Sequence, residues 1–203
     1  MADAVVSFEN QDEKDFFSLL GLIRSKLKNV PIDSDHGVLK DDYRRLNINS
    51  MGSEFFATTT QFQNIEEEMQ KLSVDFSDLM QEKDRDEYIK KVGILWYKFI
   101  KIHPYEDGNG RTGRYLMNIL LAERNIIIPS IGNSLSEKQA FRKHLDSFII
   151  GKNVCDYDAV GMAFLAKIKD IGIDLSNQTK LSDDEIGFEE SKFGDSYDTP
   201  HHM

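Results

Sequence analysis

One cysteine, Cys155, cannot close an internal disulfide, so a disulfide-stapled scaffold is excluded and a reducing compartment is the default expectation. Four prolines and thirteen glycines are too few for a collagen-like or low-complexity chain. No apolar run approaches the roughly 20 residues that cross a bilayer, so no membrane partner is expected. The first residues, Met1 to Lys14, lack the basic-then-apolar order of a signal peptide, which points to a cytoplasmic protein. Cations are scarce as well: 25 Lys and Arg stand against 35 Asp and Glu, a net charge of −10. Duplex binding depends on displacing counterions from phosphates, so no nucleic-acid partner is expected either.

What is present is ordinary for a packed protein. The chain is 40% hydrophobic and 10% aromatic, which excludes a disordered polymer. Its 203 residues suit one domain at roughly 150 residues per domain. The acidity is concentrated at the end. Residues 176–203 hold seven acids (Asp183, Asp184, Glu185, Glu189, Glu190, Asp195, Asp198) against Lys180 and Lys192, a net of −5. The expected division is a domain over 1–175 and an acidic tail over 176–203, disordered or partly helical. Residues 1–175 are only mildly acidic and leave room for a local basic site.

Periodicity predicts mostly helix. Phe16, Leu19, Leu20, Ile23 and Leu27 recur at helical spacing, ending near Asn29 before Pro31. Two β-branched and aromatic stretches, Tyr43 to Ile48 and Glu54 to Thr60, flank a polar turn and predict a hairpin. A lone hairpin is marginal in water, so it is expected to lean on helices as a flap over about 44–62. Helices follow over Gln63–Leu79, through Val92, Leu95, Trp96, Phe99 and Ile102, over Arg111–Arg124, Glu137–Ile150 and Tyr157–Ile171. In the longest, Glu87, Lys91, Lys98 and Lys101 form a polar face opposite the apolar one. Apart from the flap, the expected class is all-α.

The chemistry-bearing segment is His103-Pro104-Tyr105-Glu106-Asp107-Gly108-Asn109-Gly110-Arg111-Thr112-Gly113-Arg114, between two of these helices. Small residues lead straight into a helix start, where free N–H groups and the dipole's positive end make an anion site. Arg111 and Arg114 are three apart, neighbours on one helix face, where both can grip phosphate oxygens. Asp107 supplies a hard carboxylate of the kind that holds Mg²⁺ together with substrate phosphates. His103 has a pKa range suited to general-base work near neutrality. The combination describes phosphoryl or nucleotidyl transfer.

Three accidental matches fall away. Gly108, Gly110 and Gly113 have the spacing of a dinucleotide fingerprint, but a helix-period segment precedes them instead of a strand. Gly108 and Gly113 have Walker A spacing, yet Arg114 and Tyr115 occupy the Lys and Ser/Thr places. A kinase glycine loop would need strand context and a β3 lysine.

The segment 103–114 resembles the signature of the Fic family, H-x-F-x-[D/E]-G-N-G-R-x-x-R, with Tyr105 in the phenylalanine place as the one departure. The resemblance implies the Fic fold, a helical bundle with a short β-hairpin flap upstream of the catalytic loop, over about Phe16 to Ile171. It further implies a protein adenylyltransferase that moves AMP from ATP to a Tyr, Thr or Ser hydroxyl of a target protein and releases pyrophosphate. His103 would be the catalytic base and Asp107 the Mg²⁺ ligand. Gly108, Asn109 and Gly110 would line the anion hole, with the Asn109 side chain on phosphate, and Arg111 and Arg114 would bind the phosphate chain. The implied cofactor is Mg²⁺, with ATP as co-substrate. Tyr105 is expected to keep an aromatic anchor beneath the loop.

The flap at 44–62 is where such proteins dock an extended segment of the target, by strand addition. Many relatives also carry an inhibitory [S/T]-x-x-x-E-[G/N] helix. Ser50 to Glu54 has the spacing, but Phe55 follows it, and the tail offers only aspartate at Asp183 and Asp195. Restraint is therefore expected from a separate small antitoxin-like partner. Two other readings stand beside AMP transfer: a related transferase of another phosphate-containing group (another nucleotide, phosphate or phosphocholine), and a non-catalytic nucleotide-regulated binding module. An exposed flap and a mildly acidic body also permit a homo-oligomer.

Overall fold

Three of the other helices pack around α3, Arg85–Ile102. A computed structural model describes residues 15–28, 41–48, 60–128, 135–150, 154–171 and 173–174. Among these, α1 (Phe16–Lys28), α2 (Ile65–Gln81), α3, α4 (Asn109–Ala122), α5 (Leu135–Asp146) and α6 (Tyr157–Ile171) are the α-helices, with one 3-10 turn at Phe62–Asn64. The centre of the expected flap, 49–59, and the acidic tail lie outside the described residues, as do Ser50 to Glu54.

The sequence of α3 predicts one apolar face, and the structure buries more. Tyr88, Ile89, Val92, Leu95, Trp96, Tyr97, Phe99, Ile100 and Ile102 are all buried, so α3 is enclosed by α6, α4 and α2. The lysines of the expected polar face reach out to partners: Lys98 pairs with Asp75 of α2 at 2.7 Å and Lys91 with Glu82 at 2.7 Å. Such surface pairs each contribute about 0–1 kcal/mol. The burial of the apolar side chains, at about 1.5–3 kcal/mol for each large one, is what holds the bundle. Asp84 starts α3 by accepting from the Glu87 amide at 2.9 Å, and Asp156 starts α6 by accepting from the Ala159 amide at 2.9 Å. Both are N-caps of the usual acidic kind.

The second half differs from expectation in two places. The helix expected over Glu137–Ile150 ends at Asp146. The Ser147 amide turns back onto the Lys143 and His144 carbonyls. Ile149–Ile150 then pairs antiparallel with Val154–Cys155 (β2 and β3), consistent with β-branched residues before a glycine. Beyond α4, Ile126–Ile127 (β1) pairs antiparallel with Ile173–Asp174 (β4) and joins the two ends of the C-terminal half. Two-residue strands leave no periodicity in a sequence, and the class remains all-α.

Gly21 lies within α1 on an exposed position, with nothing within 4 Å of where a Cβ would stand. Gly21→Ala is expected to stabilise by about 0.5–1 kcal/mol, because glycine loses more backbone freedom on folding. A thermal melt should rise by about 1–4 °C; a fall would contradict the open surroundings of residue 21.

Candidate active site

His103 is the C-cap of α3, in the left-handed conformation at φ 51° and ψ 60°. That conformation costs a non-glycine residue on the order of 1–2 kcal/mol, although histidine enters it more readily than most. Its amide donates to the Phe99 carbonyl at 3.0 Å, closing the last turn. Its own carbonyl accepts from Arg44 Nε at 2.8 Å. The chain then runs through buried Pro104 and Tyr105, and the short loop ends at Gly108.

Gly108 is the N-cap of α4 with φ 83°, a left-handed geometry that glycine enters without steric cost. No side chain caps the helix there. Asp107, which could have served as a cap, instead accepts from Arg111 Nη2 at 2.9 Å, one turn on, and its side chain remains half-exposed. The first N–H groups of α4, at Asn109, Gly110 and Arg111, have no acceptor within the helix. Arg111 and Arg114 occupy the first turns of the same helix, both half-buried.

Asn109 has a structural role that the sequence does not predict. Its side chain is only 2% exposed, with Oδ1 accepting from the Tyr105 amide at 3.0 Å and Nδ2 donating to the Tyr105 carbonyl at 2.8 Å. The amide side chain thus ties its own loop closed, with one of its two Nδ2 hydrogens serving in that closure.

Two arginines outside the motif complete the arrangement. Arg24 of α1, 1% exposed, lies over the Tyr105 ring with its guanidinium carbon 3.6 Å from the ring centre. It also donates to the Asp107 carbonyl at 3.3 Å and to Thr112 Oγ1 at 3.4 Å, and pairs with Asp41 at 3.5 Å. The expected aromatic anchor at 105 is present, and a cation stacks on its face. Burial pushes the Tyr105 hydroxyl up to about 12. Thr112, itself fully buried, ties α4 to α1 through this contact.

Arg24 had a faint sequence signal, a cation within the apolar stripe of Leu20, Ile23 and Leu27. Arg44 had none: Arg44 is buried and Arg45 exposed, and composition does not distinguish the two.

Of the flap roots, residues 44–48 and 60–62 are described and no ladder pairs them; the one bridge in this region joins Tyr43 to Tyr105. The Phe62 amide donates to Asn47 Oδ1 at 2.9 Å, and the Thr60 amide to the Lys101 carbonyl at 3.3 Å. Among the described residues no group of three His, Cys, Asp or Glu could hold a metal, and no helix is long and apolar enough to cross a membrane. Mg²⁺ typically needs only one or two protein carboxylates, the rest of its shell being phosphate and water. The half-exposed Asp107 at the mouth of the loop fits that requirement.

A helix–loop–helix whose loop ends in a left-handed glycine at an uncapped helix start, carried in an all-α bundle, is the class that this fold and loop define. The model of the Fic/DOC family matches residues 24–121, a stretch that holds this loop and the helices on either side of it. The protein adenylyltransferase Fic of Aedes aegypti is 54% identical over 33 residues, 16% of this chain and 7% of that protein. That of Nematostella vectensis is 40% identical over 57 residues, 27% of this chain and 13% of that protein. The chain therefore matches only a small part of these relatives' length. Among solved structures, BepC, a VirB-translocated effector of Bartonella tribocorum with bound AMPPNP, aligns with a TM-score of 0.52 at 14% identity, covering 76% of this chain and 73% of that one. A Fic-domain signalling protein of Bacteroides thetaiotaomicron aligns with a TM-score of 0.50 at 19% identity, covering 76% and 65%. At these identities the likeness is one of fold.

Proposed function

We propose that this protein transfers AMP from ATP to a hydroxyl side chain of a target protein and releases pyrophosphate. The observation that carries the reading is the junction of α3 and α4: a histidine caps the first helix, and five residues later a glycine in left-handed geometry opens the second beneath a pair of arginines. The AMPPNP held by the structural relative BepC supports ATP as the nucleotide.

In this reading the target hydroxyl attacks the α-phosphorus and its proton passes to the His103 imidazole. The bond between the α-phosphorus and the α–β bridging oxygen breaks, and pyrophosphate leaves. The N–H groups of Gly108, Asn109 and Gly110 donate to phosphate oxygens, and Arg111 and Arg114 hold the phosphate chain. Donors fixed before the reaction usually contribute most to the rate, with about 10²- to 10³-fold lost for each one removed. Mg²⁺, held by Asp107, would neutralise phosphate charge. The Asp107–Arg111 pair keeps that carboxylate oriented toward the helix start.

Docking of the target on the segment 44–62 and restraint by a separate small partner belong to the same reading.

ATP labelled on the α-phosphate, and separately on the γ-phosphate, tests the reaction with the chain, Mg²⁺ and a cell lysate as the source of acceptor proteins. Label should remain on protein from the α position alone. Retention from γ alone would mean phosphate transfer, and none from either would remove the enzymatic reading.

A further inference from the structure

The side chain of Arg44 is 2% exposed, and the hydrogen bonds that it makes go to main-chain carbonyls. Nε donates to His103 O at 2.8 Å and Nη2 to Ile102 O at 3.3 Å. Nη1 donates to Leu46 O at 2.7 Å, and Nη2 also donates to Thr60 O. Two of these acceptors are at the end of α3, where the helix dipole favours a cation. The other two belong to the two roots of the segment 44–62, sixteen residues apart for the Arg44–Thr60 contact. The backbone repeats the connection, with the Arg44 amide donating to the Pro104 carbonyl at 2.8 Å.

A buried guanidinium satisfied by carbonyls is not an ion pair in the ordinary sense. Its five N–H donors form a rigid planar fork, so the four acceptors are fixed relative to one another as well as to it. Among them is the carbonyl of His103, a residue in a left-handed conformation that its neighbours must maintain.

We propose that Arg44 is a positioning residue: one guanidinium fixes the backbone of His103 against both roots of the 44–62 segment, setting the imidazole relative to whatever that segment holds. The catalytic consequence rests on the transfer reading above, whereas the positioning of His103 does not. Misplacing a reacting group by about 1 Å can cost on the order of 10²-fold in rate, so the role is kinetic as well as structural.

Arg44→Lys keeps the charge but not the fork, and Arg44→Met keeps the stem without donors. With label transfer from α-labelled ATP to lysate proteins as the assay, Arg44→Lys should lower the maximal rate by on the order of 10²-fold. The KM for ATP should stay within about threefold, because the arginines and N–H groups of α4 are untouched. Arg45→Met, at the exposed neighbour, should change neither. The readout independent of activity is the imidazole NMR signal of residue 103, assigned by its loss in His103→Ala. Its shift and its titration midpoint should move in Arg44→Lys.

A folded Arg44→Lys protein with the wild-type imidazole signal and rate overturns the proposal. So does loss of the folded state in both Arg44 variants, which would make the clamp a stability element alone. A wild-type chain that transfers no label overturns the functional reading only, and the imidazole signal then decides this one.

Discussion

His103→Ala is expected to abolish transfer of α-label to protein while leaving the affinity for AMPPNP within about twofold. A general base is worth typically 10²- to 10⁴-fold, and its removal touches none of the groups proposed to hold the phosphates. Those groups are on α4 and in the loop, fixed by Asn109 and Tyr105 on one side and by Arg24 and Thr112 on the other. Alanine carries a risk at this position, because residue 103 is left-handed and alanine has little taste for that region. His103→Asn separates the two effects, since asparagine tolerates the conformation and cannot act as a base near neutrality. Both variants should be inactive, and calorimetric titration should show both binding the nucleotide. If His103→Asn kept more than about a tenth of the rate, the proposed role of the imidazole would fail.

The second large effect concerns stability. Gly93 faces α6 at the centre of the α3–α6 contact, and a Cβ there would lie 2.3 Å from Phe164 Cγ and 2.5 Å from Phe164 Cβ. Carbon atoms pack at about 3.5–4.0 Å, and the atoms met are the rigid root of the side chain, so a rotamer change cannot relieve the clash. The two helices must separate by about 1 Å. Gly93→Ala should therefore cost about 1–3 kcal/mol or more, as overpacked cores do, against the few tenths that alanine would gain in helix propensity. For a domain of this size each kcal/mol shifts the melting midpoint by about 2–4 °C, so a drop on the order of 5–10 °C is expected.

Gly161→Ala, across the same contact, is the graded control. Its Cβ would meet Lys90 Cβ and Ile94 Cδ1 at 3.1 Å each, a smaller intrusion, and its drop should be the lesser. Equal melting of Gly93→Ala and wild type would mean that the helices do not pack this closely. Position 93 is ten residues before His103, about 15 Å along the helix. The folded fraction should therefore keep its transfer rate at low temperature.

The parts of this molecule legible in the sequence are those that repeat or that cluster. Leu19, Ile23 and Leu27 recur every turn, and so do Ile65, Met69, Leu72, Phe76 and Leu79; both sets are buried as the periodicity predicts. The segment 103–114 concentrates its chemistry in consecutive residues, and the structure does bring them to one helix–loop–helix junction. Less legible was anything settled by partners distant in the chain. Arg24 and Arg44 are ordinary cations until the Asp107 loop and the end of α3 are brought beside them, 83 and 59 residues away in sequence. The sequence carries α5 past its observed end because Phe148, Ile149 and Ile150 continue its apolar character. Their main chain finds a better partner in residues 154–156. Asn109 shows a third kind of limit: the residue type suits phosphate binding and loop closure equally, and only geometry shows that the side chain closes the loop.

Gly113 is at a position that the family signature leaves open, yet in this chain it has no freedom. A Cβ would approach Ile100 Cδ1 to 3.0 Å, Trp96 Cδ1 to 3.2 Å and Phe99 Cδ1 to 3.3 Å. The arginine-bearing helix can rest on the histidine-bearing one because the residue just before Arg114 presents no side chain. Grafting residues 103–114 into a different bundle would thus transplant the reactive groups without their spacing, unless side chains equivalent to Trp96, Phe99 and Ile100 travelled with them.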